Sequence, residues 1–502
     1  MEIVGRNEKF QRTRHAVSSL PFLPFLSTFR FANVYELIEL RHQSNSTKHM
    51  MNLPTSKFAW SFLLLPLAVF SQPRMEQPDV RSRFGPVMFE AISFPSSDTG
   101  KPSLSIHYRI NRSYFVFTKQ SSGSGTVEEF IARGQLVVEL LDEQKTSVAR
   151  EIRPIALTRT GLPPPTERLE DIEGSILFSI RPGTYQILFE VNDLESGRSS
   201  VDKRQTVTIR RPTMKLLDFT SLFFGTIDTT DASTSRVLPF NYGTNVRYGT
   251  AQGGVATQVT LASITGKPVI GWTIKGEVED RSAKIQELKG TSYFLTDGLF
   301  SLATTSGLPV LSVQPAATSW KVLFIPLPFG QLEPGQYRLE VEFSSGADKN
   351  KGELDFKVVW PNRPMSLTNW EFAVEALRHI AKPEEIEAME SASSARGLEL
   401  FREFWRKRDP DTTTAYNEVM AEYYRRVDDA LREFSTMKEN DGHKTDRGRI
   451  YILRGKASRV ERQLQPNSPP KEIWTYLNLK KRFVFVEYNK TGNYILTETD
   501  NL

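Results

Sequence analysis

Hydrophobic and polar residues alternate with a period of two through most of the central part of the chain. Clear examples are residues 104–110, 135–141 and 176–180, which are separated by segments rich in turn-forming residues. Successive side chains of a β-strand point to opposite faces of a sheet, so this period predicts strands with one buried face. Closely spaced strands of this kind are typical of antiparallel sandwiches. We therefore expect two all-β, immunoglobulin-like sandwich modules, residues 85–211 and 212–360.

A short internal repeat supports the second module. A Pro-Gly turn is followed two residues later by Tyr185 in the first copy and by Tyr337 in the second, and each copy continues into an alternating segment. Pro-Gly favours a tight turn, and an aromatic ring beside the turn can pack beneath it. A tyrosine at a strand corner is a packing device of immunoglobulin-like folds, so we assign both tyrosines a structural role.

The hydrophobic period changes to three and four after a short linker at residues 361–365. Apolar positions then predict helices, including one over residues 414–434 whose acids and arginines lie mostly outward. After Gly442 the period returns to two, which predicts a strand over residues 449–453 and further short strands up to residue 497. Residues 366–498 are therefore expected to form an α+β domain, with helices followed by a small antiparallel sheet.

The N-terminal part has the anatomy of an export signal. Lys57 precedes an uncharged apolar run, residues 58–70, that is too short to span a membrane. We interpret residues 50–71 as a signal peptide and residues 72–84 as a linker. Residues 1–49 are then a misassigned or disordered extension, and translation is expected to start at Met50 or Met51.

Composition and charge exclude several classes of function for this chain. A chain of 502 residues needs several domains, and its net charge of +5 comes from 64 basic and 59 acidic side chains without a dense basic stripe. We expect no nucleic-acid partner, no cofactor, no metal ion and no permanent membrane span after the signal is removed. The absence of cysteine excludes disulfides, thiolate metal sites and a lipoprotein anchor.

The segment Gly442-His443-Lys444-Thr445-Asp446 resembles the signature of the GWxTD domain, a module of bacterial exported proteins. An upstream segment ending in Arg408-Asp409-Pro410 is similar to a second motif of that family, and the resemblance covers roughly residues 366–497. His443 stands where the family has tryptophan, which removes a large apolar anchor. The resemblance implies export and carries no biochemical activity. The motif residues are Gly442, Thr445, Asp446, Arg447, Gly448, Arg449, Trp405, Arg408, Asp409 and Pro410.

Two roles for the signature remain open. His443, Asp446 and Arg449 could supply a base, an acid and an anion holder for general acid–base catalysis, although no nucleophile motif accompanies them. In the structural alternative, Thr445 or Asp446 accepts backbone N–H groups. Arg447 and Arg449 would then pair with Asp409, Asp411 or Glu472 and join the helices to the sheet. In that case Asp446→Ala should lower the melting temperature.

The combined features predict an exported protein of the periplasm or outer envelope, or a secreted one. We expect it to bind a protein or another cell-envelope component through its β-modules and C-terminal domain, without catalysis. The alternative is a glycan-binding or hydrolytic envelope enzyme that uses the region of His443, Asp446 and Arg449.

Overall fold

The computed structural model describes residues 86–95, 101–120, 128–161, 171–203, 205–210, 220–228, 235–260, 268–279, 285–305, 308–315, 320–345, 348–436, 441–466, 468–489 and 491–502. The expected extension, signal peptide and linker before residue 85 lie outside the described residues. No helix in the described ranges is both long and apolar enough to cross a membrane.

The first β-region consists of two packed sheets. Sheet A has the strand order β1-β2-β6, and sheet B contains β3, β4, β5, β7, β8 and β9. The strands are β1 (Val87–Phe94), β2 (Ser103–Ile110), β3 (Thr118–Lys119), β4 (Glu129–Leu141), β5 (Ser147–Thr160), β6 (Ile172–Ser179), β7 (Gly183–Asp193), β8 (Ser199–Asp202) and β9 (Thr206–Ile209). Alternate residues of both sheets, such as Ile106 and Phe189, form the core between them. The period-two pattern is thus confirmed as a sandwich.

The second β-region also consists of two sheets. Sheet C has seven strands in the order β16-β19-β13-β10-β11-β18-β17, and sheet D has five in the order β12-β21-β20-β14-β15. The strands are β10 (Phe223–Asp228), β11 (Arg236–Pro239), β12 (Val246–Arg247), β13 (Gly254–Thr260), β14 (Val269–Val278), β15 (Ile285–Gly290), β16 (Phe294–Asp297), β17 (Leu299–Thr305), β18 (Leu308–Gln314), β19 (Trp320–Pro326), β20 (Gly335–Ser345) and β21 (Asp348–Val359). Their shared core includes Phe224, Leu323 and Tyr337.

The structural role predicted for the two repeated tyrosines is confirmed. Tyr185 donates its hydroxyl to the Arg181 carbonyl at 2.9 Å, and Tyr337 donates to the Glu333 carbonyl at 2.8 Å. Both rings are buried, at 7% and 3% exposure. In each copy the hydroxyl therefore closes the corner by bonding to the backbone four residues upstream, so that the buried polar atom is satisfied.

Sheet A is buried on both faces, which the alternating pattern did not predict. Leu104 and Ile106 enter the core shared with sheet B, while Ser105 and His107 on the opposite face are also fully buried. On that second face, Phe94 of β1 packs edge-on against Phe300 of sheet C, with ring centroids 6.2 Å apart. The two β-regions therefore share a packed interface.

Charged groups line this interface. Arg109 of β2 forms ion pairs with Asp171 at 3.2 Å and Glu173 at 2.6 Å. Its guanidinium also lies 4.1 Å above the ring of Tyr242 and donates to the Tyr242 hydroxyl. A buried arginine is stabilised when carboxylates and an aromatic face replace its water shell, so these contacts join the two regions specifically.

Glu90 and His107 form an unusual buried pair at the same interface. They are direct cross-strand partners of β1 and β2, with 2% and 0% exposure. Glu90 Oε1 and His107 Nδ1 lack hydrogen-bond partners among the described residues. Burial raises the pKa of Glu90 to about 8, opposed in part by a hydrogen bond from the Thr244 backbone, and burial lowers the pKa of His107 to about 4.

This pair predicts a defined pH dependence of stability. The contribution of Glu90 to the free energy of unfolding should fall as pH rises from 4.5 towards 8, because Glu90 ionises in the unfolded chain but is protonated in the fold. The contribution of His107 should fall as pH drops from 6.5 towards 4, because His107 charges only when unfolded. The two effects offset each other between pH 4.5 and 6.5, so the net loss of stability lies above and below that range. Glu90→Gln should remove the loss on the alkaline side alone, as measured by thermal unfolding across this range. An alkaline slope equal to that of the wild type would contradict this assignment.

The C-terminal region packs five helices against a four-stranded sheet. The helices are α1 (Trp370–Glu375), α2 (Pro383–Ser391), α3 (Ser394–Arg406), α4 (Glu418–Phe434) and α5 (Asp446–Arg454). Sheet E has the order β22-β23-β24-β25, with β22 (Arg459–Gln463), β23 (Lys471–Tyr476), β24 (Lys481–Val486) and β25 (Ile495–Asn501). The expected α+β arrangement is confirmed. The helix predicted to begin at residue 414 instead begins at Glu418, because the Asn417 side chain caps it by accepting the Met420 amide.

Hydrogen bonds join the C-terminal region to the second β-region and to the linker that follows it. Before α4, the Ala415 amide donates to the Gly330 carbonyl at 2.7 Å, and the Tyr248 hydroxyl donates to the Ala415 carbonyl. After β21, the carboxylate of Asp428 accepts the backbone amides of Met365 and Ser366 at 2.6 and 3.0 Å. The linker between the two regions is therefore hydrogen-bonded to α4.

Candidate functional site

Two glycines of the signature approach neighbouring backbone too closely for any side chain. A Cβ added to Gly442 would lie 2.3 Å from the Ala430 carbonyl oxygen of α4, and one added to Gly448 would lie 2.0 Å from the Gly442 carbonyl oxygen. Both glycines are buried. The start of α5 therefore packs backbone to backbone against the end of α4 and the turn at Gly442.

Thr445 starts α5. Its hydroxyl oxygen accepts the Gly448 amide at 3.0 Å and donates to the Gly442 carbonyl at 2.7 Å. The helix ends at Gly455, whose φ of +76° suits glycine. The strand predicted over residues 449–453 is therefore wrong. The β-branched and aromatic residues of that run are buried on a short helix because both of its ends are capped.

Asp446 joins the signature to the last strand. Its Oδ2 accepts the Leu496 amide of β25 at 2.9 Å, and its Oδ1 pairs with Arg449 at 3.3 Å. The prediction that Thr445 or Asp446 accepts backbone amides is confirmed for both residues. The prediction that Arg449 pairs with Asp409, Asp411 or Glu472 is wrong, because the nearer Asp446 lies one helical turn away on the same helix.

Arg447 joins α5 to sheet E, as the sequence predicted. It pairs with Glu472 of β23 at 3.1 Å and donates to the Gly492 carbonyl at 2.9 Å. Its guanidinium lies 4.3 Å from the ring centre of Tyr494. The other oxygen of Glu472 accepts the Trp474 indole N–H at 2.8 Å. The Arg447 and Glu472 side chains are 12% and 5% exposed, so each charge depends on the other for stabilisation.

His443, the strongest catalytic candidate by residue type, is fully buried. Its ring packs edge-on against Phe372 with centroids 4.9 Å apart, and neither ring nitrogen has a hydrogen-bond partner among the described residues. Burial lowers its pKa. His443 is not hydrogen-bonded to Asp446 in the part of the chain that the structure describes. His443 therefore fills an apolar position, as the family's tryptophan would.

Replacing His443 with phenylalanine should raise the free energy of unfolding by about 1 kcal/mol, because two buried polar nitrogens without partners are removed while the contact with Phe372 is kept. His379→Phe is the control, because it removes a contact of 3.0 Å between His379 Nε2 and the His443 carbonyl and should destabilise. Urea unfolding measures both. A loss of stability in His443→Phe would contradict the packing role.

The second family motif, which comprises Trp405, Arg408, Asp409 and Pro410, lies at the C-terminal end of α3. Trp405 is buried against Tyr423 and Tyr424, and its carbonyl accepts the Asn417 side-chain amide at 2.9 Å. The Arg408 guanidinium lies 3.5 Å from the Phe404 ring centre, and burial lowers its pKa. Asp409 accepts the Asp411 amide at 3.1 Å, across the exposed Pro410. These residues shape the turn between α3 and α4.

The helix α4 carries a charged network that the sequence pattern did not indicate. Arg426 and Asp429 are 9% and 6% exposed, so the expectation that these charges lie outward is wrong for both. Arg426 pairs with Glu422 at 2.6 Å and donates to the Ile452 carbonyl at 3.3 Å, while Asp429 accepts the Tyr451 hydroxyl at 3.2 Å. The adjacent Tyr423-Tyr424-Arg425-Arg426 run was the available signal. The contacts of Arg426 with Ile452 and of Asp429 with Tyr451 bind α4 to α5.

The described residues contain no group of three or more His, Asp or Glu side chains placed to hold a metal ion. The geometry of the signature is thus accounted for by packing, helix capping and ion pairing within the domain.

Two β-regions followed by helices and a small sheet define a β-rich protein with a C-terminal α+β region. The model of the family described as GWxTD domain matches residues 343–501, which confirms the resemblance: the chain carries a GWxTD domain. The match begins within β20 and ends with β25.

Comparison with curated proteins finds no match. Among solved structures, the red sea bream transglutaminase is 10% identical with a TM-score of 0.16, and the similarity covers 55% of this chain and 32% of that chain. A structure of manganese lipoxygenase of Gaeumannomyces graminis with part of zonadhesin of Komagataella pastoris is 10% identical, with a TM-score of 0.15 and coverage of 55% and 95%. The CFA/I adhesin of enterotoxigenic E. coli is 9% identical, with a TM-score of 0.12 and coverage of 55% and 86%. The chain spans about a third of the length of the transglutaminase. Scores this low support no argument about function.

Proposed function

We propose that this protein is an exported, non-catalytic interaction protein of the bacterial cell envelope. The observation that carries the proposal is the internal use of the signature. Thr445, Asp446 and Arg447 bond to Gly448, Leu496 and Glu472, respectively, within the same domain. Side chains that are bonded in this way hold the helices and the sheet of the domain together. We therefore expect the exposed surfaces of the molecule to carry its role in the envelope.

The two β-regions are proposed to be immunoglobulin-like modules. The corner tyrosines support this assignment, because Tyr185 and Tyr337 each bond to the backbone four residues upstream, at the start of a penultimate or late strand of their region. Modules of this class present sheet edges and end loops to partners.

Strand β5 is the surface that best suits a protein partner. It has 14 residues and pairs with β4 alone among the described strands. Val148 and Ile152 are 45% and 46% exposed along it. A free edge with exposed apolar side chains can receive a strand of another protein, while Pro154 interrupts its N–H donors and limits indiscriminate pairing.

A matched pair of variants tests this interaction. The chain beginning at residue 72 serves as bait in envelope extract, beside Ile152→Lys on β5 and Leu194→Lys in an exposed turn. We expect one partner to be cross-linked to the wild type and to Leu194→Lys but lost with Ile152→Lys. Equal capture by all three chains would contradict the role of β5.

Export is tested separately. Mass spectrometry of the envelope fraction should find mature chains that begin at residue 72, after cleavage between Ser71 and Gln72. Recovery of chains that begin at residue 1 would contradict both the signal peptide and the start at Met50 or Met51. The absence of cysteine supports an exported form without a lipid anchor.

A hydrolase centred on His443, Asp446 and Arg449 is the less favoured alternative. Asp446 and Arg449 pair with each other, whereas His443 is buried against Phe372. The candidate site for glycan binding is a groove outside the signature.

A further inference from the structure

A groove of about 460 Å³ lies where the second β-region meets the start of α4. This volume falls within the range of small-molecule sites. The groove is distinct from the signature, since none of the signature residues lines it. Its lining residues are Arg247, Tyr248, Trp360, Tyr416, Glu418 and Glu422, together with four residues of the linker and of α4.

Three aromatic rings form one wall of the groove. The Tyr248 ring centre lies 5.2 Å from that of Trp360 and 5.1 Å from that of Tyr416, and the last two are 5.8 Å apart. Tyr248 is buried, whereas Trp360 and Tyr416 are half-buried at the groove. Tyr416 packs edge-to-face against the other two rings, and the Tyr248 and Trp360 rings are tilted by 60° to each other, so the rings form one apolar surface held by mutual contacts.

The polar groups of the groove are of mixed sign. Arg247 and Glu418 are exposed, and neither has an ion-pair partner among the described residues. Asn362 adds an amide that can both donate and accept hydrogen bonds. Partial loss of hydration at the groove, with the nearby charges of Asp409 and Asp411, raises the pKa of Glu418. A site with one unpaired cation and one unpaired carboxylate favours neither an anionic nor a cationic ligand.

We propose that this groove binds a neutral saccharide segment. The apolar C–H face of a pyranose ring packs against aromatic rings, and its neighbouring hydroxyl groups both donate and accept hydrogen bonds. Trp360 and Tyr416 supply the aromatic surface, while Arg247, Asn362 and Glu418 supply donors and acceptors. The site goes beyond the proposed protein contact at β5, and its test is independent of it.

The saccharide is bound without cleavage. Glycoside hydrolysis needs two carboxyl groups, one of them free to attack the sugar or to activate water. Glu422, one helical turn from Glu418, is fully engaged: Arg425 donates to both of its oxygens at 2.8 Å, and Arg426 donates to Oε1 at 2.6 Å. Glu418 therefore has no free carboxylate partner on α4 in the groove.

The test is calorimetric titration of the chain beginning at residue 72 with neutral oligosaccharides at millimolar concentration. The probes are the tetramers of N-acetylglucosamine, of β-1,4-glucose and of α-1,4-glucose, with tetra-alanine as a peptide of similar size. We expect at least one sugar to bind and tetra-alanine not to bind. Arg247→Ala and Glu418→Gln should each weaken sugar binding about tenfold, the loss expected for a hydrogen bond to a charged group.

Two variants with matched chemistry elsewhere serve as controls. Arg150→Ala on β5 and Glu129→Gln on β4 change exposed residues outside the groove and should leave binding unchanged. Circular dichroism confirms that each variant is folded. The proposal is overturned if no sugar binds, if tetra-alanine binds with the same sensitivity to Arg247→Ala, or if the controls weaken binding equally. Release of shorter sugars during incubation would overturn binding without cleavage.

Discussion

Replacing Gly448 with alanine should destabilise the C-terminal domain by about 3 kcal/mol or more, the upper part of the range for overpacked cores. The added Cβ would lie 2.0 Å from the Gly442 carbonyl oxygen and 3.1 Å from the His443 Cα. Both obstacles belong to the backbone, so no side-chain rotation relieves them. To fit the methyl group, α5 has to move away from the turn at Gly442, and the Thr445 cap and the Asp446 bond to the Leu496 amide are lost with it.

The measurement must report on this domain alone, because a multidomain chain need not unfold in one step. Urea-dependent hydrogen exchange at the Ile450 and Ile452 amides of α5 does so. Gly271→Ala is the matched control: it adds the same methyl group to a glycine of β14 where no atom lies within 4 Å. The control, read by exchange at the amides of β14, should be neutral or slightly stabilising. Equal effects of the two changes would contradict the close backbone contact.

Arg447→Met should cost about 3 kcal/mol, the lower end of the range for breaking a buried ion pair. The change keeps the length of the side chain but leaves the Glu472 carboxylate, which is 5% exposed, without its close cation. It also removes the hydrogen bond to the Gly492 carbonyl and the contact with the Tyr494 ring. The same exchange measurement, read at the amides of β23 and α5, gives the loss.

A second arginine beside the Glu472 carboxylate provides the control. Arg462 lies 3.9 Å from Glu472 but is 70% exposed, so Arg462→Met should cost under about 0.5 kcal/mol. In the double variant Arg447→Met with Glu472→Gln, no buried charge is left unpaired, and part of the stability should return. A double variant that is less stable than Arg447→Met would contradict the charge explanation.

Much of the fold could be predicted from periodicity. The alternating runs such as residues 104–110 became strands, and the corner tyrosines Tyr185 and Tyr337 took the expected places, because both signals depend on local geometry. The run at residues 449–453 is a helix instead. Its β-branched residues favour a strand locally, but the Thr445 cap and Gly455 define a helix that buries Ile450, Tyr451 and Ile452.

Long-range packing could not be predicted in this way. Alternation in β2 indicates one buried face, yet His107 on the other face is fully covered by the second β-region. Nothing in the spacing of Glu90 and His107 indicates that they become cross-strand partners, since register depends on the whole sheet. Similarly, the arginines of α4 follow the pattern of a solvated face until α5 packs over Arg426.

The site was predicted in part. Arg447 pairs with Glu472 as expected, one of the three carboxylates that the sequence offered as its partner. Residue type alone suggested a catalytic role for His443. The histidine lies in a polar run of the sequence but is buried against Phe372 in the fold. The reason for glycine at positions 442 and 448 became visible only when the neighbouring backbone was known.

We propose that the signature joins α5 to sheet E and is not a reaction site. Hydrogen exchange at the Leu496 amide of β25 in Asp446→Ala tests it most directly, because Asp446 accepts this amide at 2.9 Å. Asp411→Ala, a change of the same kind in the turn between α3 and α4, is the control. We predict that Asp446→Ala loses protection at Leu496 and along β25 and has a lower melting temperature, while Asp411→Ala keeps the protection of the wild type at Leu496. Unchanged protection at Leu496 in Asp446→Ala would contradict this role of the signature.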